Sequence, residues 1–162
     1  MKKLIIVRHS KSSWKEINLT DFNRPLNGRG KSDGLLMADY LKSKINKIDY
    51  LHSSRSVRTF ETSNYFINQI QFGKVEYDDS LYHSSAPSIL NMIRNYSDNF
   101  SSVMIIAHNP GLTNLINDIT NIYIDNLPTT GLAEIDFNCL RWNDISSKKS
   151  NLVEIKFPKQ LK

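Results

Sequence analysis

The sequence predicts an α/β fold, a three-layer sandwich with a largely parallel central sheet flanked by helices. Three observations carry that prediction. Strand-like and helix-like segments alternate along the chain, the strongest strand candidates are apolar throughout, and the helix candidates carry apolar residues at helical spacing. A strand that is apolar on both faces suits the interior of a parallel sheet, where helices cover each side.

Leu4-Ile5-Ile6-Val7 is such a run, and it stops at Arg8-His9-Ser10. From Asn27 to Lys44, Leu35, Leu36, Met37, Tyr40 and Leu41 recur at helical spacing; Gly28, Gly30 and Gly34 weaken the opening turns and predict a frayed start. Ile48 to Leu51 reads as a second strand. Ser56 to Ile70 reads as a helix through Val57, Phe60, Tyr65, Phe66 and Ile70, with Ser54 as its cap. Val75 to Tyr77 is predicted as a short strand. Pro87 to Tyr96 is predicted as a helix, with Pro87 in the first turn, where its missing N–H is harmless. Val103 to Ala107 is the third strong strand, running into His108-Asn109-Pro110-Gly111, and Leu112 to Ile119 follows as a helix. Leu132 to Phe137 and Leu152 to Phe157 close the chain as strands. Between them the polar stretch from Asn143 to Asn151 reads as a loop and as the most disposable segment. There is no internal repeat and no linker, so a single domain spanning 1–162 is expected.

Composition narrows the class. A chain of 162 residues that is 40% hydrophobic supports one continuous core. Twenty-one Lys and Arg residues against 16 Asp and Glu give a formal charge of +5, which favours anionic partners. The single cysteine, Cys139, cannot form an internal disulfide and reads as a structural thiol. Only four apolar residues separate Met1-Lys2-Lys3 from Arg8, too few for a signal-peptide core, and no run approaches a membrane span. The expectation is a soluble cytoplasmic protein, with a length that points to a monomer. No pair of histidines has helical zinc-ligand spacing, and no basic run is interleaved with aromatics. Neither metal nor cofactor, nucleic acid nor membrane is therefore expected as a partner.

The chemistry lies where strands end. Arg8 and His9 follow the first strand, Ser54 to Arg58 the second, and His108 with Asn109 the third. A parallel sheet brings such ends to one rim and makes a pocket with two histidines and at least two arginines. Arginine's planar fork matches two phosphate oxygens, so Arg8 and Arg58 are candidate phosphate ligands. An imidazole is a competent nucleophile near neutral pH, which suits His9; His108 would stabilise charge on the moving phosphoryl group.

These residues resemble the histidine phosphatase superfamily, whose fold is phosphoglycerate mutase-like, and within it the short SixA-type phosphohistidine phosphatases. The likeness spans nearly the whole chain. It rests on Leu4 to Trp14 with its Arg8-His9-Ser10-Lys11, on Asp21 with Arg24-Pro25-Leu26-Asn27 and Arg29-Gly30, and on Ser53-Ser54 with Arg58 and Thr62. Ala107-His108-Asn109-Pro110-Gly111-Leu112, Asn126 to Gly131 and Phe157-Pro158-Lys159 complete it. The resemblance implies that His9 is the phosphorylated nucleophile, that Arg58 binds phosphate, and that Arg8 and His108 complete the catalytic set. Lys11, Asn109 and Arg24 are candidate substrate ligands, with Arg24 also expected to pair with Asp21 over the pocket.

Two departures stand out. Arg55 replaces a usual proline, and no carboxylate stands at Ser80-Leu81-Tyr82-His83, where relatives acting on alcohol phosphates keep a proton donor. Asp78 and Asp79 read as loop residues, which leaves His83 as a donor candidate, while His52 reads as core or rim packing. An alkoxide leaves poorly without a proton, whereas phosphohistidine can release neutral imidazole. The expected substrate is therefore protein phosphohistidine, for example on a histidine-containing phosphotransfer domain. Hydrolysis of small phosphate monoesters is the alternative activity, and a phosphoprotein-binding domain without turnover is the alternative role.

Overall fold

The structure is a computed structural model that describes residues 1–162. Six strands form one sheet: β1 (Lys2–Arg8), β2 (Lys47–Ser54), β3 (Gln71–Asp78), β4 (Ser102–Ala107), β5 (Leu132–Phe137) and β6 (Ser150–Lys156). Their order is β3-β2-β4-β1-β5-β6. The pairs β3–β2, β2–β4 and β4–β1 are parallel; β5 runs antiparallel to β1, and β6 antiparallel to β5. The sheet is thus largely parallel, as the sequence predicts, and β2, β4 and β1 lie side by side. Their carboxyl ends meet at one rim.

Four helices cover the sheet: α1 (Gly28–Lys42), α2 (Val57–Gln69), α3 (Ala86–Arg94) and α4 (Gly111–Ile119). Alternation along β1 assigns them to faces. Leu4 and Ile6 point into a core with Ile89, Leu112, Leu115 and Ile116 of α3 and α4. Ile5 and Val7 point into a second core with Met37, Leu41 and Phe66 of α1 and α2. All four β1 residues are fully buried, and each such side chain contributes about 1.5–3 kcal/mol relative to exposure. This double burial is why Leu4 to Val7 carry no polar residue.

Three local expectations change. The start of α1 is not frayed, because Asn27 caps it by accepting from Gly30 N at 2.8 Å, and Gly30 lies where a Cβ would come within 2.1 Å of the Lys11 carbonyl. Glycine here allows α1 to abut the loop that follows β1. Ser54 does not cap α2; β2 continues through it, and Ser56 caps instead. The strand predicted at Val75 to Tyr77 extends over Gln71–Asp78. As an edge strand it is polar and mostly solvated, so its ends carry no hydrophobic signal.

The stretch from Asn143 to Asn151 is not disposable. It folds as two short 3₁₀ turns, Trp142–Asp144 and Ser147–Lys149, and buries Ile145. Next to it Trp142 is fully buried, donating Nε1–H to the Phe100 carbonyl at 2.8 Å beneath the Lys2 ammonium. Trp142→Ala is expected to cost about 3–5 kcal/mol in urea denaturation, the range for truncating a buried aromatic. A loss below about 1 kcal/mol would return this segment to the status of an ordinary surface loop.

Candidate active site

At the rim made by β1, β2 and β4, Arg8, His9, Lys11, Ser12, Trp14, Arg24, Arg58 and Thr129 line a cleft of about 170 Å³. Its floor is the end of β1. The backbone there is pinned from the turn before β5, where Thr130 N donates to the carbonyls of both Arg8 and His9 at 3.1 Å. Thr130 holds this position at φ 58°, in the left-handed region that β-branched residues avoid, and it is fully buried. Its hydroxyl donates to Ser10 Oγ at 2.7 Å, and Ser10 N donates to Thr62 Oγ1 at 2.9 Å. The small residue after His9 is thereby tied to both α2 and the β5 turn.

These ties set His9. Its Nδ1 lies 2.8 Å from the Ser10 carbonyl, which can only accept, so Nδ1 carries the proton and Nε2 keeps its lone pair. Nε2 makes no hydrogen bond within the protein. The His108 ring lies 5.3 Å from the His9 ring, centroid to centroid. His108 donates from Nε2 to Ser54 Oγ at 2.9 Å, while its Nδ1 accepts from Arg58 Nη2 at 3.3 Å. Burial, and then the positive charges of Arg58, Arg8 and Arg24, lower the His9 pKa to about 3 despite the opposing bond to Ser10. Burial and the neighbouring His9 and Arg58 lower that of His108 to about 2. Both rings are neutral at physiological pH.

The arginines differ in what they leave free. Arg8 donates from Nη1 to the Leu127 carbonyl at 3.0 Å, and its buried Nε has no partner. Arg58, buried in the first turn of α2, donates from Nη1 to the Asp21 carbonyl at 2.7 Å and from Nη2 to Asp21 Oδ2 at 2.9 Å. Arg24 uses all three nitrogens on Ser13 O, Asp21 Oδ1 and Ser12 Oγ, and its guanidinium stacks on Trp14 at 3.2 Å. It braces the loop across the cleft instead of offering a free fork.

Asp21 is the hub that the sequence shows only in part. Beyond the expected Arg24 pair it accepts from Arg58 and from the Tyr82 hydroxyl, and His83 Nε2 lies 3.2 Å from its Oδ2. Burial alone would raise its pKa, but the hydrogen bonds from Tyr82, Arg58 and Arg24 hold it well below the usual carboxylate range. His83 sits at φ 52° with its ring 5.4 Å from that of His108. Tyr82 and Ser54 are further site residues: the sequence names both within their segments but gives neither hydroxyl a role in the site. Their signal was the family segments around Ser53-Ser54 and Leu81-Tyr82, whose hydroxyls are silent in hydrophobic periodicity.

Asn109, expected to bind substrate, has its amide hydrogen-bonded within the protein. Its Nδ2 donates to Asn126 Oδ1 and Leu127 O, and its Oδ1 accepts from Thr113 N and Oγ1. It fastens the start of α4 to the segment before β5. Lys11 lines the cleft with an ammonium that makes no hydrogen bond or ion pair within the protein. Arg55 is exposed and paired with Asp79 and the Tyr77 carbonyl, away from the cleft lining. His52 is buried between the Tyr96 hydroxyl and Asp78. His52, Asp78 and Glu76 offer three metal-type ligand atoms within 4.8 Å of one another. Glu76 is already held by Tyr50 and Lys74, so the cluster is satisfied internally.

No protein-family model matches the chain. An uncharacterized chloroplastic protein of Arabidopsis thaliana is 31% identical over 120 residues, covering 68% of this chain and 55% of its own length. The chain therefore spans about half of that relative. An uncharacterized protein of Mycobacterium leprae is 24% identical over 165 residues, covering 94% of this chain and 100% of its own. Among solved structures, a provisionally named phosphohistidine phosphatase SixA of Nakamurella multipartitia superposes with a TM-score of 0.83 at 18% identity, covering 97% of this chain and 96% of its own. The protein histidine phosphatase SixA complexed with tungstate gives a TM-score of 0.82 at 19% identity, with 99% of each chain covered. These likenesses show the fold: the chain has the phosphoglycerate mutase-like fold of the histidine phosphatase structures. Within that class its fold is that of the SixA structures.

The neutral histidines give a stability signature. Unfolding restores a pKa near 6.5, so the unfolded chain takes up protons that the folded one refuses. Stability is then complete above about pH 6.5 and falls as the pH drops towards 3, at about 1.4 kcal/mol per pH unit for each such histidine. Urea denaturation in phosphate-free buffer from pH 7.5 to 4.5 is expected to show this loss, with a shallower slope in His9→Gln/His108→Gln. A double variant with the wild-type slope would disprove the assignment.

Proposed function

We propose that the chain is a phosphatase working through a phosphohistidine intermediate on His9, with protein phosphohistidine as substrate. The observation that carries this reading is the pairing, in one cleft, of a His9 Nε2 that keeps its lone pair with a buried Arg8 Nε that has no partner. An unpaired buried guanidinium donor costs stability unless an anion meets it. A phosphoryl oxygen is the anion that the neighbouring nucleophile would require.

In this mechanism the phosphoryl group sits against Arg8 and the Arg58 fork, displacing part of the Arg58–Asp21 pair. The Nε2 lone pair attacks phosphorus, the bond from phosphorus to the leaving nitrogen breaks, and the substrate imidazole departs with a proton on its remote nitrogen. His108 lies behind His9 with Nδ1 turned to Arg58. A dianion in the cleft favours the imidazolium against the cost of burial. Once Arg58 Nη2 turns to the phosphoryl group, His108 Nδ1 takes a proton from solvent, hydrogen-bonds an equatorial oxygen while keeping that proton, and returns it to solvent when phosphate leaves. Water then attacks phosphorus, the P–Nε2 bond breaks, and inorganic phosphate leaves with His9 restored. The net reaction consumes one water and yields histidine and phosphate.

No carboxylate faces the leaving group as a proton donor: Asp21 is held ionised by its partners, and Asp78 is bonded to His52 and Ser80. That supports a nitrogen leaving group over an alkoxide. We place the activity in a cytoplasmic monomer acting as one domain; no helix is long and apolar enough to cross a membrane.

His9→Ala is expected to lower hydrolysis of para-nitrophenyl phosphate on the order of 10³-fold or more, the scale for losing a nucleophile. Alkaline quenching of the wild type should trap phosphohistidine at His9, and activity surviving the substitution would rule out the nucleophile. For substrate class, a phosphorylated histidine-containing transfer domain should be dephosphorylated faster than sugar or glycerate phosphates. Rapid turnover of the alcohol phosphates with the phosphodomain untouched would reverse the substrate assignment.

A further inference from the structure

Beside the phosphate-sized cleft lies a second recess of about 330 Å³, lined by Arg29, Asp33, Pro128, Thr129, Phe157, Pro158, Lys159 and Lys162. Thr129 lines both spaces, so the two adjoin at that residue. The closing Phe157-Pro158-Lys159, unused by the chemistry above, forms one wall through the 3₁₀ turn Pro158–Leu161.

The recess is electrostatically unbalanced. Arg29, Lys159 and Lys162 face one carboxylate, Asp33, whose side chain is 3% exposed. Asp33 Oδ1 lies 2.8 Å from Lys162 Nζ without a hydrogen-bonding angle, and Arg29 Nε stands 3.6 Å from Oδ2, too far for a hydrogen bond. Arg29 Nη2 reaches only Thr129 Oγ1, at 3.4 Å. Its guanidinium, on a side chain 60% exposed, thus keeps most of its donors free at the mouth of the recess. Lys159 has no acidic partner. Net positive charge between the proline and phenylalanine walls suits a short acidic side chain: the carboxylate meets Arg29 and Lys159, and its methylenes pack on Phe157 and Pro128.

We propose that this recess seats an aspartate or glutamate of the substrate protein next to its phosphohistidine, making Arg29 and Lys159 specificity residues. The proposal rests on the phosphohistidine reading and names the sequence context which that site selects. A free small phosphate would fill only the cleft. A protein segment crossing Thr129 places its neighbouring side chain in the recess.

Two phosphohistidine peptides that differ only in one flanking residue, Glu or Gln, test this. The wild type should favour the Glu peptide by about fivefold in kcat/KM, through KM, as expected for one partly exposed ion pair worth about 1 kcal/mol. Arg29→Glu and, separately, Lys159→Glu should abolish or invert the ratio. Because the readout is a ratio within one enzyme, a general loss of activity cancels. Equal kcat/KM for the two peptides in the wild type, or a ratio unchanged in both variants, overturns the inference while leaving the phosphohistidine activity standing. Turnover of para-nitrophenyl phosphate with neither peptide hydrolysed overturns the substrate reading and this inference together.

Discussion

Three arginines converge on a small cleft, and one carboxylate partly offsets them. Like charges at close range in a partly dehydrated site repel strongly unless donors find acceptors. The loops around the cleft are organised to provide those acceptors. The carbonyls of Leu127, Ser13 and Asp21 each take a guanidinium N–H, and the Asp21 carboxylate takes two more. What this arrangement leaves uncompensated is Arg8 Nε, while burial first, and then the nearby positive charges, keep His9 and His108 neutral. The unpaired guanidinium donor and the His9 lone pair thus lie side by side in one buried, positively charged corner.

That cleft depends on the sheet beneath it. Because β2, β4 and β1 are adjacent and parallel, the residues that follow each of them emerge at the same rim. The strands are buried on both faces by the two helical layers, so a slip in register would draw polar end residues such as Lys3 and Arg8 into the cores. Gly30 and Thr130 then bring neighbouring backbone into contact with the loop after β1. One does so by having no side chain; the other accepts an unfavourable backbone angle. Rigid support of this kind is what a nucleophile needs for in-line attack.

Much of this was legible in the residues. Leu4 to Val7 announces a central strand because four consecutive apolar residues cannot be half-solvated, and Arg-His and His-Asn-Pro-Gly mark its chemical end and that of β4. The errors have a common cause. Trp142 and Ile145 are buried because Phe100 and Lys2 come to meet them, and nothing local to that polar stretch says so. Local sequence is equally silent on Asn109, placed beside His108 and bonded in the fold to Asn126, Leu127 and Thr113.

The sequence by itself determined the α/β alternation, the doubly covered strands and the identity of the arginines and histidines placed at strand ends, since these follow from local patterning and residue chemistry. Only the tertiary structure decided which of those groups are free. Tyr82 and His83 reach Asp21 across 61 and 62 residues of chain, and Arg29 comes to share a recess with Phe157 and Lys159. Hydrogen-bond satisfaction is settled by packing among distant segments. A side chain's availability for substrate is therefore a property of the folded whole.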